Sequence, residues 1–164
     1  PLFTQFSHFI DVMYWIFGGI ESPRAIFRNQ SHLRNTEFED SGSVSFDFKR
    51  EGFGTFTFST ALDRSNFESS LTLISEKGTV RIGGQYMNKV VHCDVQGYKL
   101  PILPNAAPPN DYGSFKGSAS NHNHVMANVV DVLRHGATLS TPISEGVDVV
   151  EIIESMYASA PRPL

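Results

Sequence analysis

His8 and Asp11 stand three residues apart in the stretch Ser7-His8-Phe9-Ile10-Asp11, which reads as the start of a helix. Residues at that spacing share a helix face, and Trp15 follows one turn beyond Asp11. A carboxylate beside an imidazole supports its protonated form. A ring that titrates near neutrality suits proton transfer to or from a substrate hydroxyl. The spacing alone also fits a histidine at a helix start that bonds locally and does no chemistry.

A second cluster is Asn121-His122-Asn123-His124. A His-x-His pair can ligate a metal, with His135 or His8 as a further ligand. No cysteine or carboxylate lies at ligand spacing, and the pair sits where a loop enters a helix, so the rings diverge. A metal-dependent hydrolase or lyase built on His122 and His124 is therefore the reading with least support. Polar contact with a substrate at the helix N-terminus, where free amides gather, suits Asn121 and His122 better. The third candidate is the proline-rich loop from Lys99 to Ser120, carrying Asn110, Asp111, Tyr112, Lys116 and Ser118. Tyr112 and Lys116 offer stacking, hydrogen bonding and charge to a sugar or phosphate, although a solvated surface loop has the same composition. No G-x-G-x-x-G, P-loop, G-x-S-x-G or C-x-x-C pattern occurs, so the chain carries no recognisable dinucleotide site of its own.

The elements that must position these residues are legible in the patterning. An apolar run from His8 to Phe17, with Ser7 as its expected N-cap, ends at Gly18 and Gly19. An extended piece is expected after Pro23, through Ala25, Ile26 and Phe27. Val44, Phe46 and Phe48 alternate with Ser45, Asp47 and Lys49, and Phe56 and Phe58 alternate with Thr55, Thr57 and Ser59. A turn at Gly52–Gly54 joins them into an antiparallel hairpin. Leu71 and Leu73 lead through Glu76-Lys77-Gly78 to a strand at Thr79–Ile82, and a last strand spans Val90–Val95. One helix is expected over Asn121–Arg134, with Val125, Val129 and Val132 on one stripe. Another follows Pro142, with Ser144 as N-cap and Val149, Ile153 and Met156 on its buried face. Together these predict an α+β fold: an open, mostly antiparallel (mixed) sheet with helices on one face.

The 164 residues suffice for a single domain over 1–164, and thirteen Phe supply large buried area. A net charge of -4 argues against a nucleic-acid or anionic-membrane partner. No apolar run approaches the ~20 residues that span a bilayer. The single cysteine, Cys93, cannot form an internal disulfide and reads as a small core residue, which points to a reducing cytoplasm. The Ser- and Thr-rich outward face of the strands suits a flat surface that another subunit covers. The chain opens at Pro1 and enters a helix at once, which suggests a piece of a longer protein.

The segment Leu2–Gly18, L-F-T-Q-F-S-H-F-I-D-V-M-Y-W-I-F-G, resembles the Gfo/Idh/MocA oxidoreductases, relatives of glucose-fructose oxidoreductase and inositol dehydrogenase. Their pattern is approximately G-G-G-x-L-x-D-x-G-x-H-x-x-D followed by an apolar stretch ending W-[IL]-x-G. Ser70–Gly84, S-L-T-L-I-S-E-K-G-T-V-R-I-G-G, is similar to the family's strand, turn and strand. Glu145–Ala160 is similar to its closing helix. Three matches in order cover essentially the whole chain.

The resemblance implies a two-part enzyme. An N-terminal Rossmann part holds NAD or NADP and brings the lysine of an E-K-P motif. A C-terminal α+β part supplies substrate contacts and the homo-oligomer interface, as a dimer or tetramer through the sheet face. This chain resembles the second part, so it is expected to be inactive alone. The family histidine falls on His8, as acid/base at the hydroxyl whose carbon gives up hydride, and Asp11 falls on the supporting aspartate. Where the family has an aspartate four residues before the histidine, this chain has Thr4, which cannot ionise to orient the ring, and Phe6 replaces a glycine. Branches acting on nucleotide-linked N-acetyl sugars also lack that aspartate. The sequence leans to that branch, with Thr4, Asp11, Tyr112, Lys116, Asn121 and His122 as substrate contacts. The alternative is a non-catalytic module that dimerises through the sheet. The family strand that precedes the glycine run is not in this chain, so an unpaired sheet edge is expected.

Overall fold

Alternation in the strand sequences dictates which side chains meet. In the computed structural model, which describes residues 1–63, 67–106, 108–113, 116–119 and 121–161, strands β1 (Ile20–Arg28), β2 (Ser41–Phe48) and β3 (Phe53–Ser59) form an antiparallel sheet in that order. Ala25, Val44 and Phe56 share one row across it, and Arg24, Ser45 and Thr55 share the next on the opposite face. The inward rows carry aromatic and aliphatic residues, and Val44, Phe46 and Phe58 are buried. Phe46 is accommodated because its partner across the ladder is Gly54. A Cβ there would stand 2.5 Å from the Phe46 ring, so the ring lies flat over bare backbone.

Helices close that face. A π-helical turn at Leu2–Phe6 runs directly into α1 (Ser7–Phe17), and α3 (Ile143–Ser159) returns from the end of the chain. Leu2, Ile10 and Met13 meet Val149, Ile152, Ile153 and Met156 and the sheet in one buried cluster. Gly18 ends α1 at φ 82, a left-handed value that a side chain disfavours. Asp40 organises the connection between β1 and β2. Its Oδ2 accepts the backbone N–H groups of Gln30, Ser31 and His32 at 3.1, 2.7 and 3.2 Å and lies 3.2 Å from Nδ1 of His32. The Ser31 amide foremost holds this buried carboxyl down at about 2.

Residues Pro1–Asp63 and Thr141–Leu164 form one compact unit, and Arg64–Ser140 form a second. In the second, β4 (Leu71–Ser75), β5 (Gly78–Gly83) and β6 (Lys89–Val95) make another antiparallel sheet. Leu73, Val80 and Cys93 share a half-buried row there, in keeping with Cys93 as an apolar strand residue. A two-stranded ribbon, β7 (Pro109–Asp111) with β8 (Lys116–Ala119), precedes α2 (His122–His135). The fold class is α+β as expected, and every pairing among the described strands is antiparallel.

Four local expectations are corrected. Ser7 does not cap α1, because the chain is already helical from Leu2. Strand β1 begins before Pro23, at Ile20. A bulge between Glu21 and Arg24, with Ser22 at φ 50, absorbs the proline on an edge strand. The long loop contains the β7–β8 ribbon, whose short strands have no alternation to betray them. Pro142, not Ser144, precedes the first residue of α3, and no side chain caps that helix.

Replacing Phe46 by Ala should remove about 3–5 kcal/mol, the usual cost of a fully buried aromatic. Denaturant unfolding of the purified protein checks this, and a loss below about 1 kcal/mol would contradict the central place given to that ring.

Candidate functional site

Helix α1 divides its residues between two jobs. At about 100° per residue, Ile10, Met13 and Tyr14 fall on one side, and His8, Asp11 and Trp15 fall within a narrow arc on the other. The structure follows that division. Ile10 and Met13 are buried, whereas His8, Asp11 and Trp15 are exposed, Trp15 with 78% of its surface open. The imidazole of His8 lies beside the Phe9 ring, with centroids 4.2 Å apart. Partial burial pushes the His8 pKa below 6.5, and the Asp11 carboxylate pulls part of the way back. The net shift favours the neutral ring. Asp11 acts on it through charge. Thr4 is exposed one turn earlier, and its hydroxyl donates to the Pro1 carbonyl at 3.4 Å.

Two tyrosines that the sequence reading did not single out tie this helix down. The Tyr14 hydroxyl donates to Oδ2 of Asp148 at 2.6 Å, and this bond foremost raises the phenol pKa above 10. The Tyr157 hydroxyl donates to Glu39 and accepts the Leu2 amide at 3.3 Å. Burial and the Glu39 carboxylate push that phenol up as well. Both bonds join residues more than a hundred positions apart, so no local pattern announces them. The only sequence signal is a hydroxyl-bearing aromatic at the border of each apolar stripe.

The other sequence candidates belong to the second unit. Tyr112 is exposed at the end of β7, where Asp111 Oδ1 accepts the Gly113 amide at 2.9 Å and shapes the turn. Lys116 opens β8; its side chain, that of Ser118 and the whole of Ser120 lie outside the described residues. Asn121 and His122 stand exposed at the start of α2, and the Asn121 carbonyl accepts the His124 amide at 3.1 Å. His122 and His124 are two apart on the helix and do not face each other. The expected stripe of α2 has no buried member: Val125 and Val129 are exposed. No described helix is long and apolar enough to cross a membrane.

Known proteins place this geometry in a lineage. Residues 1–162 match the profile of the oxidoreductase family's C-terminal alpha/beta domain, Gfo/Idh/MocA. Comparison with curated sequences yields no match. Among solved structures, the WlbA dehydrogenase from Bordetella pertussis, in complex with NADH and UDP-GlcNAcA, is 25% identical with a TM-score of 0.76. That match covers 99% of this chain and 45% of the WlbA chain. The WlbA dehydrogenase from Chromobacterium violaceum, with the same two ligands, is 28% identical with a TM-score of 0.73, over 95% and 42% of the two chains. UDP-N-acetylglucosamine 3-dehydrogenase GnnA from Acidithiobacillus ferrooxidans, 8% identical at a TM-score of 0.69 over 94% and 45%, shares the fold. This chain therefore spans less than half the length of these relatives, and it belongs to the Gfo/Idh/MocA oxidoreductases through their C-terminal domain.

Proposed function

We propose that this chain is the substrate-binding and assembly domain of an NAD- or NADP-dependent dehydrogenase acting on a hydroxyl of a nucleotide-linked sugar. The observation that carries the reading is the match, along nearly its whole length, to two dehydrogenases whose structures contain NADH and UDP-GlcNAcA. The antiparallel sheets described here offer no parallel strand, glycine turn and helix to cradle a dinucleotide. Holding the nicotinamide, which would accept the hydride, falls to a part of the protein outside this chain.

What this chain contributes is a proton site and a binding surface. His8, exposed on α1 with its pKa lowered by partial burial, takes the hydroxyl proton as the carbon is oxidised and returns it in the reverse direction. Asp11 stabilises the imidazolium that forms. Thr4 stands where a more acidic partner would hold the ring, so orientation must come from elsewhere. Tyr112, Lys116, Asn121 and His122 are assigned to the sugar or its phosphates.

Assembly is assigned to the outward face of the first sheet. Ser41 and Ser59 are hydrogen-bonded across the ladder at 2.9 Å, and Ser43 and Thr57 at 3.2 Å. Ile26 is exposed beside Ser43. Such a face is flat and satisfies its own polar groups, so a second copy can cover it at little desolvation cost.

In the complete protein, His8→Ala should lower turnover with NAD(P)+ and a UDP-linked sugar by roughly 10²–10⁴. The wild-type rate should fall on the acid side below pH 6.5, as the ring protonates and can no longer accept the proton. An unchanged rate in the variant removes His8 from the mechanism. Separately, Ile26→Arg combined with Thr57→Arg should shift the complete protein to a smaller species in sedimentation, whereas unaltered assembly would place the interface on another surface.

A further inference from the structure

Helix α1 lies on α3 through an apolar seam, and such a seam resists separation far better than it resists rolling. Ile10 and Met13 share a buried cluster with Val149, Ile152, Ile153 and Met156, whose dispersion contacts are individually worth about 0.1–0.2 kcal/mol and carry no preferred direction. Rolling matters to His8. Its imidazole extends to about 6 Å from the helix axis, so a roll of about 10° carries the ring about 1 Å. A displacement of that size at a reacting group can cost up to ~10²-fold in rate.

Directional bonds are what oppose a roll, and they sit where they are most effective. At about 100° per residue, Asp148 and Tyr157 fall at the two borders of the arc that α3 buries. Asp148 receives the Tyr14 hydroxyl from α1 itself, and Tyr157 receives the amide of Leu2 in the preceding turn. On the Asp148 side packing is open. A cavity of about 220 Å3, lined by Tyr14, Gly19, Lys49, Asp148, Glu151 and Ser155, adjoins the bond. There the hydrogen bond adds a direction to the packing of the Tyr14 ring against the core.

We infer that the Tyr14–Asp148 pair is a positioning device that fixes the azimuth of α1 and thereby aims His8. At about 100° per residue Tyr14 lies about 120° round α1 from His8, and the pair acts through the helix. This supplies the orientation that Thr4 cannot give the ring. The inference rests on the proposed acid/base role of His8 for its catalytic consequence, but its structural content stands apart from that role.

The test uses the complete protein, with UDP-linked sugar and NAD(P)+ as substrates. Tyr14→Phe and Asp148→Ala should each lower kcat about 10-fold, with KM for the sugar nearly unchanged. Asp148→Asn, which keeps a carbonyl acceptor for the phenol, should restore most of the rate. In a His8→Ala background, Tyr14→Phe should cost nothing further, whereas a general loss of folded protein would multiply with it. Full additivity, or a rise in KM alone, overturns the inference. Histidine NMR separates it from the proposed function. Should His8→Ala leave turnover intact, the acid/base reading fails, and the positioning claim is still decided by the His8 ring resonances. They should move in Tyr14→Phe and return in Asp148→Asn, and identical spectra in all three proteins would overturn it.

Discussion

The buried seam between α1 and α3 is the constraint on which the rest of the first unit depends. Each large apolar side chain in it contributes about 1.5–3 kcal/mol when removed from water, against about 1 kcal/mol net for a typical hydrogen bond. Burial therefore decides that α1 lies against α3 and the sheet, and the polar contacts decide how it lies. Because Leu2, Ile10 and Met13 occupy the inward side, His8, Asp11 and Trp15 have nowhere to go but outward. The exposure of the candidate site follows from the packing on the other side of the same helix.

The sheet beneath works by a similar separation of faces. Its inward rows hold rings and aliphatic groups, with glycine opposite Phe46 where a ring needs space. Its outward rows hold hydroxyls that pair with one another across the strands. At the end of β1, Asp40 gathers three backbone amides that would otherwise compete for water. That clasp fixes the connection to β2, and Glu39 beside it receives the Tyr157 hydroxyl. The connection between β1 and β2 is thereby tied to α3, which carries Tyr157.

How much of this was legible in the sequence depended on the range of the interaction. The β2–β3 hairpin was readable because alternation at Val44, Phe46, Phe56 and Phe58 is a local signal that burial reinforces. The buried stripe Val149, Ile153 and Met156 was readable for the same reason at helical spacing. The earlier start of β1 was hidden by Pro23, whose usual meaning in a strand is interruption and whose effect here is a bulge at an edge. The π-helical turn was hidden because Pro1–Phe6 offers no capping residue. Within the site, the shared face of His8 and Asp11 was given by spacing. The tyrosine bonds to Asp148 and Glu39 were not, since partners so distant in sequence leave no periodic trace.

The family match places the chain with the C-terminal alpha/beta domain of an oxidoreductase family, and the structure gives its exposed helix face a physical character: an imidazole, a nearby carboxylate and an open aromatic ring. The most direct test of the proposal is a histidine-observed NMR titration of the complete protein with a UDP-linked N-acetyl sugar in the presence of NAD(P). The His8 resonances, titrating below pH 6.5 in the free protein, should shift saturably as the sugar binds. Resonances that stay in place at saturation, with the sugar bound, would show that the α1 face is not where the substrate reacts.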